Sequence, residues 1–189
     1  MIFDEDIRNS LKILKEGGLI LYPTDTVWGL GCDATNNEAV EKIFRIKSRN
    51  DRKSLIILVD SETMLERYVK DIPEIAFELI AVSETPITII YPKAKNLASA
   101  IPAEDGSIGI RVCRDEFCKE LISRFGRPIV STSANISGAH SPSHFMEITD
   151  KIFQAVDYTV EYKREDRQKH LPSPVIKVGH NGVIKIIRK

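Results

Sequence analysis

The chain has 189 residues with 27 basic and 27 acidic side chains, so its formal net charge is zero, and any affinity for nucleic acid must come from a local patch. Hydrophobic residues at 42% and charged residues at 29% describe a globular chain, large enough to bury roughly 70% of its unfolded surface; they exclude disordered, fibrous and membrane-embedded classes. The three cysteines, Cys32, Cys113 and Cys118, show no metal-binding spacing and are odd in number, the N-terminus is acidic, and no apolar run approaches the roughly 20 residues of a bilayer span. A single domain over residues 1–189 in a reducing cytoplasm is the expectation.

The first element is an amphipathic helix over residues 4–16, with Ile7, Leu11 and Leu14 on one face and Gly17-Gly18 as a left-handed stop. Leu19 to Tyr22 reads as a short apolar strand ended by Pro23, which opens a loop at a strand end. Thr35 or Asn36 caps a helix to about Arg49 with Val40, Ile43 and Phe44 inward. A strand over 55–59 is followed by a helix that opens at Ser61-Glu62 and continues after a break near Pro73, then by a strand over 87–91. Residues 92–107 are small, polar and Pro-containing, a long loop suited to covering a site. Strand 108–112, a helix from the Asp115 cap to Arg124 with Gly126 as its stop, and strand 128–130 come next; this alternation suggests right-handed crossovers. A helix over 145–155, a strand over 157–162, a charged exposed stretch over 163–171 and a hairpin (175–178 and 183–187) turning at Asn181-Gly182 complete the chain.

Three segments carry chemistry. PTDTVWGLGCDA (residues 23–34) offers Thr24, Asp25 and Thr26 to a polar ligand, and glycines that let backbone N–H groups approach it; a turn with glycines at positive φ would look the same. Lys47, Arg49, Arg52 and Lys53 place four cations within seven residues, enough for a triphosphate and equally ordinary for a solvated helix end. Ser131, Thr132 and Ser133 end an apolar strand ahead of Asn135 and Gly138, a set suited to phosphate, ribose or carboxylate oxygens, or to capping the next turn. No G-x-S-x-G elbow makes either serine a nucleophile, and Cys113, Cys118, His140 and His144 lack zinc spacing. Arg111 is a charge inside an apolar strand, an edge guard or a ligand group.

In register, PTDTVWGLGCDA, the K-x-R of Lys47 and Arg49 followed by Lys53, SIGIRV (107–112) and STSANISG (131–138) resemble the YrdC family of threonylcarbamoyl-AMP synthases, the single-domain form, from Gly17 to Arg188. The resemblance implies an α/β fold, a twisted mixed sheet flanked by helices with a concave basic cleft. It implies synthesis of L-threonylcarbamoyl-AMP and pyrophosphate from L-threonine, bicarbonate or CO2, and ATP with Mg2+. The product feeds t6A modification of tRNA by downstream transferase machinery. By that similarity Thr26, Arg111, Ser131 and Ser173 bind threonine; Arg49, Lys53, Ser107, Ser133, Asn135, Ser141 and Arg188 bind ATP; Lys47, Arg49 and Lys53 are catalytic; no protein ligand set for a metal is implied.

The chain departs from the family pattern at Asn50 and Ser54, where prolines are usual in the basic motif. It departs again at Leu58, where some relatives carry a histidine, and at Pro174, where a threonine usually follows Ser173. The alternative reading keeps the cleft for double-stranded RNA, tRNA or a nucleotide without adenylyl transfer, but the intact Lys47-x-Arg49 and Ser133-Ala134-Asn135 favour the enzyme. A carbamoyl-transfer domain like that of the hydrogenase maturation protein HypF is a third; its accompanying acylphosphatase and zinc-finger-like parts are absent from this sequence.

Overall fold

The computed structural model describes residues 2–47, 55–179 and 181–189. Its strands are β1 (Ile20–Tyr22), β2 (Gly29–Gly31), β3 (Ile56–Val59), β4 (Thr88–Tyr91), β5 (Ile108–Val112), β6 (Ile129–Ser133), β7 (Tyr158–Thr159), β8 (Val175–Val178) and β9 (Ile184–Arg188). Among the described residues they form one mixed sheet in the order β7-β1-β2-β6-β3-β5-β4-β8-β9. Helices α1 (Ile2–Lys15), α2 (Asn37–Lys47), α3 (Glu62–Leu65), α4 (Glu74–Val82), α5 (Glu116–Phe125) and α6 (Asp150–Phe153) accompany it.

The expected α/β class holds, but the connections differ from the expected crossovers. Strand β3 pairs parallel with β5, β1 with β7 and β4 with β8, while β6 runs antiparallel to both β2 and β3. The helix between β5 and β6 therefore returns the chain beside β3 in the opposite direction. Alternation of strand and helix does not by itself set strand direction.

Each helix starts and stops for local reasons. Gly17 takes φ +73°, and the Gly17 and Gly18 amides return to the carbonyls of Leu14 and Ile13, ending α1. Ile7 and Leu14 of α1 are buried together with Asp6, whose carboxylate accepts from the Tyr158 hydroxyl at 2.6 Å and from the amides of Glu161 and Tyr162. That buried carboxylate joins the helix to β7 and the residues that follow it. Asp115 caps α5 by accepting from the Cys118 amide at 3.0 Å, and Gly126 at φ +73° closes it. Phe3, Phe117 and Tyr162 meet where α1 packs on α5, with ring centroids 5.1 to 5.7 Å apart.

The sheet's middle is the core. Leu30, Ile57, Leu58, Ile110 and Val130 are each essentially inaccessible, and burying each such side chain contributes about 1.5–3 kcal/mol. Several expected elements are altered, and the strand expected over 157–162 is reduced to Tyr158–Thr159. The loop after Pro23 contains β2, a strand hidden from pattern reading because it is two glycines around one leucine; a Cβ on Gly31 would stand 2.5 Å from the Tyr22 ring. The helix expected over 145–155 breaks into a 3-10 turn, Phe145–Glu147, and α6, because Ile148 and Thr149 are extended and Ile148 is buried. The charged stretch over 163–171 is partly used for packing: Lys163 pairs with Asp115, and the Arg164 guanidinium stacks on Phe145 while donating to the Thr159 and Val160 carbonyls. Among the described residues no helix is long and apolar enough to cross a membrane.

Candidate functional site

A cavity of about 940 Å3 opens along one side of the sheet's centre. Into it the fold brings Thr26, Lys47, Ser107, Arg111, Ser131, Ser133, Asn135, Ser141, Ser173 and Arg188, all singled out in the sequence. Arg49 and Lys53, and the departures Asn50 and Ser54, lie outside the described residues.

Register explains the convergence. Gly29 of β2 stands opposite Ser133 of β6, Ser131 of β6 opposite Ile56 of β3, and Arg111 of β5 opposite Leu58 of β3. A Cβ on Gly29 would approach Ser131 Oγ to 3.0 Å, so glycine there leaves room for that hydroxyl. Leu58 itself is fully buried, so the position where some relatives carry histidine is here part of the core.

One end of the cavity is built around Arg111, which is 2% exposed. Its Nη1 donates to Thr26 Oγ1 at 2.8 Å, and its Nε lies 3.2 Å from Asp25 Oδ1 in a charge contact without hydrogen-bond alignment. This is no edge guard but a buried guanidinium. Its fork of donors suits a carboxylate.

A second region surrounds the serine-rich segment after β6. The Lys47 ammonium, also 2% exposed, donates to the carbonyls of Ser133 at 2.8 Å and Asn135 at 2.7 Å and to Asn135 Oδ1 at 3.2 Å. Ser133 Oγ donates to the same Asn135 oxygen, while Asn135 Nδ2 donates to the Ile136 and Ala139 carbonyls. The lysine expected as a catalytic cation is thus also a brace for residues 133–139. Ser137 and Ser141 have buried hydroxyls without a hydrogen-bond partner among the described residues, both on the cavity wall. Such unpaired groups are costly unless a ligand or water completes them.

The third region joins the expected covering loop to the C-terminal hairpin. Residues Ile101, Ala103, Glu104, Asp105 and Ser107 line the cavity, but Ala98, Ala100 and Ile101 are buried, so this loop is a packed wall. Asp105 accepts from the Ser107 hydroxyl and amide and pairs with Lys177 at 2.9 Å. The Ser107 hydroxyl first, then Lys177, holds the Asp105 carboxyl well below the usual carboxylate range. Ser173 shares a hydrogen bond with Thr88 at 2.7 Å, and its carbonyl accepts from Arg188 Nε and Nη2 at 3.1 and 2.7 Å. Partial burial, and then the nearby Arg111 charge, lower the Arg188 pKa. No carboxylate among the described residues pairs with Arg188, so this cation remains uncompensated toward the cavity. Pro174 keeps its neighbour in place through its carbonyl, which accepts from the Thr88 amide at 3.0 Å.

Sequence reasoning missed Lys177, Ser137 and the apolar walls Trp28, Ile90 and Ile187. Lys177 could have been found as the one charge in the strand VIKV; Trp28 gave no signal beyond its place in the first motif. Its ring packs on Phe145 with centroids 4.8 Å apart, fixing one wall.

The Sua5/YciO/YrdC family model, described as telomere recombination, matches residues 12–189. The chain belongs to this family. It is 35% identical over 158 residues to a Pseudoalteromonas translucida protein named threonylcarbamoyl-AMP synthase, covering 82% of this chain and 84% of that one. The structure of Pyrococcus abyssi Sua5 complexed with L-threonine superposes with a TM-score of 0.80 at 31% identity, over 91% of this chain; the chain spans about half of that longer protein. Escherichia coli YciO gives a TM-score of 0.83 at 26% identity, covering 97% of this chain and 88% of that one.

Proposed function

We propose that the protein is an L-threonylcarbamoyladenylate synthase, a nucleotidyltransferase that joins L-threonine, bicarbonate or CO2, and ATP and releases pyrophosphate. The observation that carries this reading is the cavity's lining: a buried guanidinium with Thr26 and Ser131 shares one cavity with Ser107, Ser133, Asn135, Ser141 and the uncompensated Arg188. At about 940 Å3 it has room for an amino acid and a nucleotide together. Relatives named threonylcarbamoyl-AMP synthase, and the P. abyssi Sua5 complex with L-threonine, support the same substrates.

The chemistry needs little covalent help. The threonine amine and CO2 give a carbamate, whose oxygen attacks the α-phosphorus of ATP while pyrophosphate leaves. Catalysis then rests on in-line positioning and on neutralising charge that develops on the phosphates. In this reading Arg111 and Thr26 hold the threonine carboxylate, with Ser131 and Ser173 beside them. Arg188, Ser107, Ser133 and Ser141 bind ATP, Lys47 keeps residues 133–139 in place, and Arg49 and Lys53 supply further cations. Mg2+ enters with ATP. Mg2+ is a hard ion that phosphate oxygens and water hold readily. The adduct serves t6A formation on tRNA by a separate transferase, in the cytoplasm.

The test is pyrophosphate release by the pure protein with ATP, Mg2+ and bicarbonate, with threonine, serine or no amino acid added. Release that depends on threonine is expected. ATP binding without release would overturn the enzymatic reading in favour of a nucleotide- or RNA-binding protein.

A further inference from the structure

Asp25 sits behind the wall that presents Arg111. Its side chain is 7% exposed and that of Arg111 3%, and Arg111 and Thr26 line the cavity while Asp25 does not. The carboxylate is gripped from the backbone that follows β5: the Arg114 amide donates to Asp25 Oδ2 at 3.3 Å. Arg114 is itself anchored, its guanidinium donating to the Ser83 and Ile80 carbonyls at the end of α4. Two arginines three residues apart, one through its amide and one through its side chain, thus enclose a single carboxylate.

The hydrogen bonds of the loop run one way. Thr24 Oγ1 donates to the Val27 carbonyl at 2.8 Å, so the 3.1 Å contact between the two hydroxyls has Thr26 donating to Thr24. Thr26 Oγ1 is then left to accept from Arg111 Nη1. Asp25 faces the Nε side of the guanidinium in a charge contact, and Thr26 takes one Nη1 donor. The rigid fork leaves its other Nη donors for a ligand. A buried guanidinium without a nearby carboxylate would be heavily penalised, and the Thr26 hydrogen bond alone would fix only one corner of it.

We propose that Asp25 is a positioning residue of the amino-acid subsite. From behind the wall, its carboxylate fixes the orientation in which Arg111 meets the α-carboxylate of the amino acid. The inference rests on the reading of the cavity as an amino-acid and ATP site. It predicts that affinity for the carboxylate end of threonine depends on a residue that never touches it.

The test compares wild-type protein with Asp25→Asn, which keeps shape and removes charge. Threonine binding is measured by calorimetry without ATP, and turnover with threonine and with threoninol, which lacks the carboxylate. The Kd and KM for threonine should rise about tenfold, as expected for one weakened charge-assisted contact. The KM for ATP should stay within about twofold, and the preference for threonine over threoninol should shrink by the same tenfold factor. A merely structural role would instead lower thermal stability and degrade ATP and threonine kinetics together. Should Asp25→Asn fail to fold, Asp25→Ala with added formate serves: formate, and not formamide, should restore threonine affinity. A folded variant with unchanged threonine affinity, or with no formate rescue, overturns the role of Asp25 alone. Wild-type protein that neither binds nor consumes threonine overturns the reading of the cavity, and this inference with it.

Discussion

Replacing Lys47 by methionine separates bracing from catalysis. The side chain is 2% exposed, and its ammonium donates to three oxygens of Ser133 and Asn135 at 2.7 to 3.2 Å. Hydrogen bonds to a charged donor are worth about 1.5–3 kcal/mol each, but removing a buried ammonium also removes its desolvation cost. The freed oxygens belong to cavity-lining residues, so water can reach them and recover part of the loss. The net cost is about 2 kcal/mol, which in a chain of this size lowers Tm by roughly 4–8 °C. Loss of the brace lets residues 133–139 drift, and a misplacement of about 1 Å in a positioning segment costs on the order of 100-fold in rate. Thermal unfolding and pyrophosphate release should therefore both respond. An unchanged Tm with abolished turnover would refute the bracing argument and place the ammonium on the substrate; an unchanged Tm and rate would refute any role.

Arg188→Ala should raise the KM for ATP about 10- to 100-fold, the worth of one charge-assisted phosphate contact, and the KM for threonine by less, through the lost hold on the Ser173 carbonyl. Steady-state kinetics with each substrate varied would show it. Gly31→Ala should destabilise by about 1–3 kcal/mol through overpacking, because its Cβ would meet the Tyr22 ring at 2.5 Å and Ile129 at 3.0 Å; denaturant unfolding measures this. Because the Asp105 carboxyl is held below its unfolded value, its pairing stabilises the fold above a pH of about 4 and is lost as pH falls further. Asp105→Asn should therefore lose less stability than wild type between about pH 5 and pH 2 in acid-unfolding curves.

Much of this architecture is legible in the sequence because its punctuation is chemical. Asp115 and Gly126 bound α5, Gly17-Gly18 ends α1 and Asn181-Gly182 sits in the turn of the terminal hairpin. Strand β2 was hidden because Gly29-Leu30-Gly31 has neither alternation nor β-branched residues, and its place depends on Tyr22 packing over glycine from another strand. Strand direction was hidden for a similar reason: β6 is antiparallel to β3 through long-range pairing that no local pattern encodes. At the site, clustered hydroxyls and cations were visible as motifs. Asp25 looked like a ligand group because it stands between two threonines, yet the fold turns it behind Arg111. Ser137 and Lys177 were missed because one more serine inside a serine-rich motif, or one lysine in a strand, is ordinary until the fold brings it to a cavity.

The most direct test of the central claim follows the carbon that joins the two substrates. Pure protein is incubated with ATP, Mg2+, L-threonine and 13C-bicarbonate, and the nucleotide product is analysed by mass spectrometry. The account predicts a threonylcarbamoyl adenylate one mass unit heavier than that formed from unlabelled bicarbonate, appearing in step with pyrophosphate. Pyrophosphate without the labelled adduct, or no turnover by folded protein that binds both ATP and threonine, would contradict it.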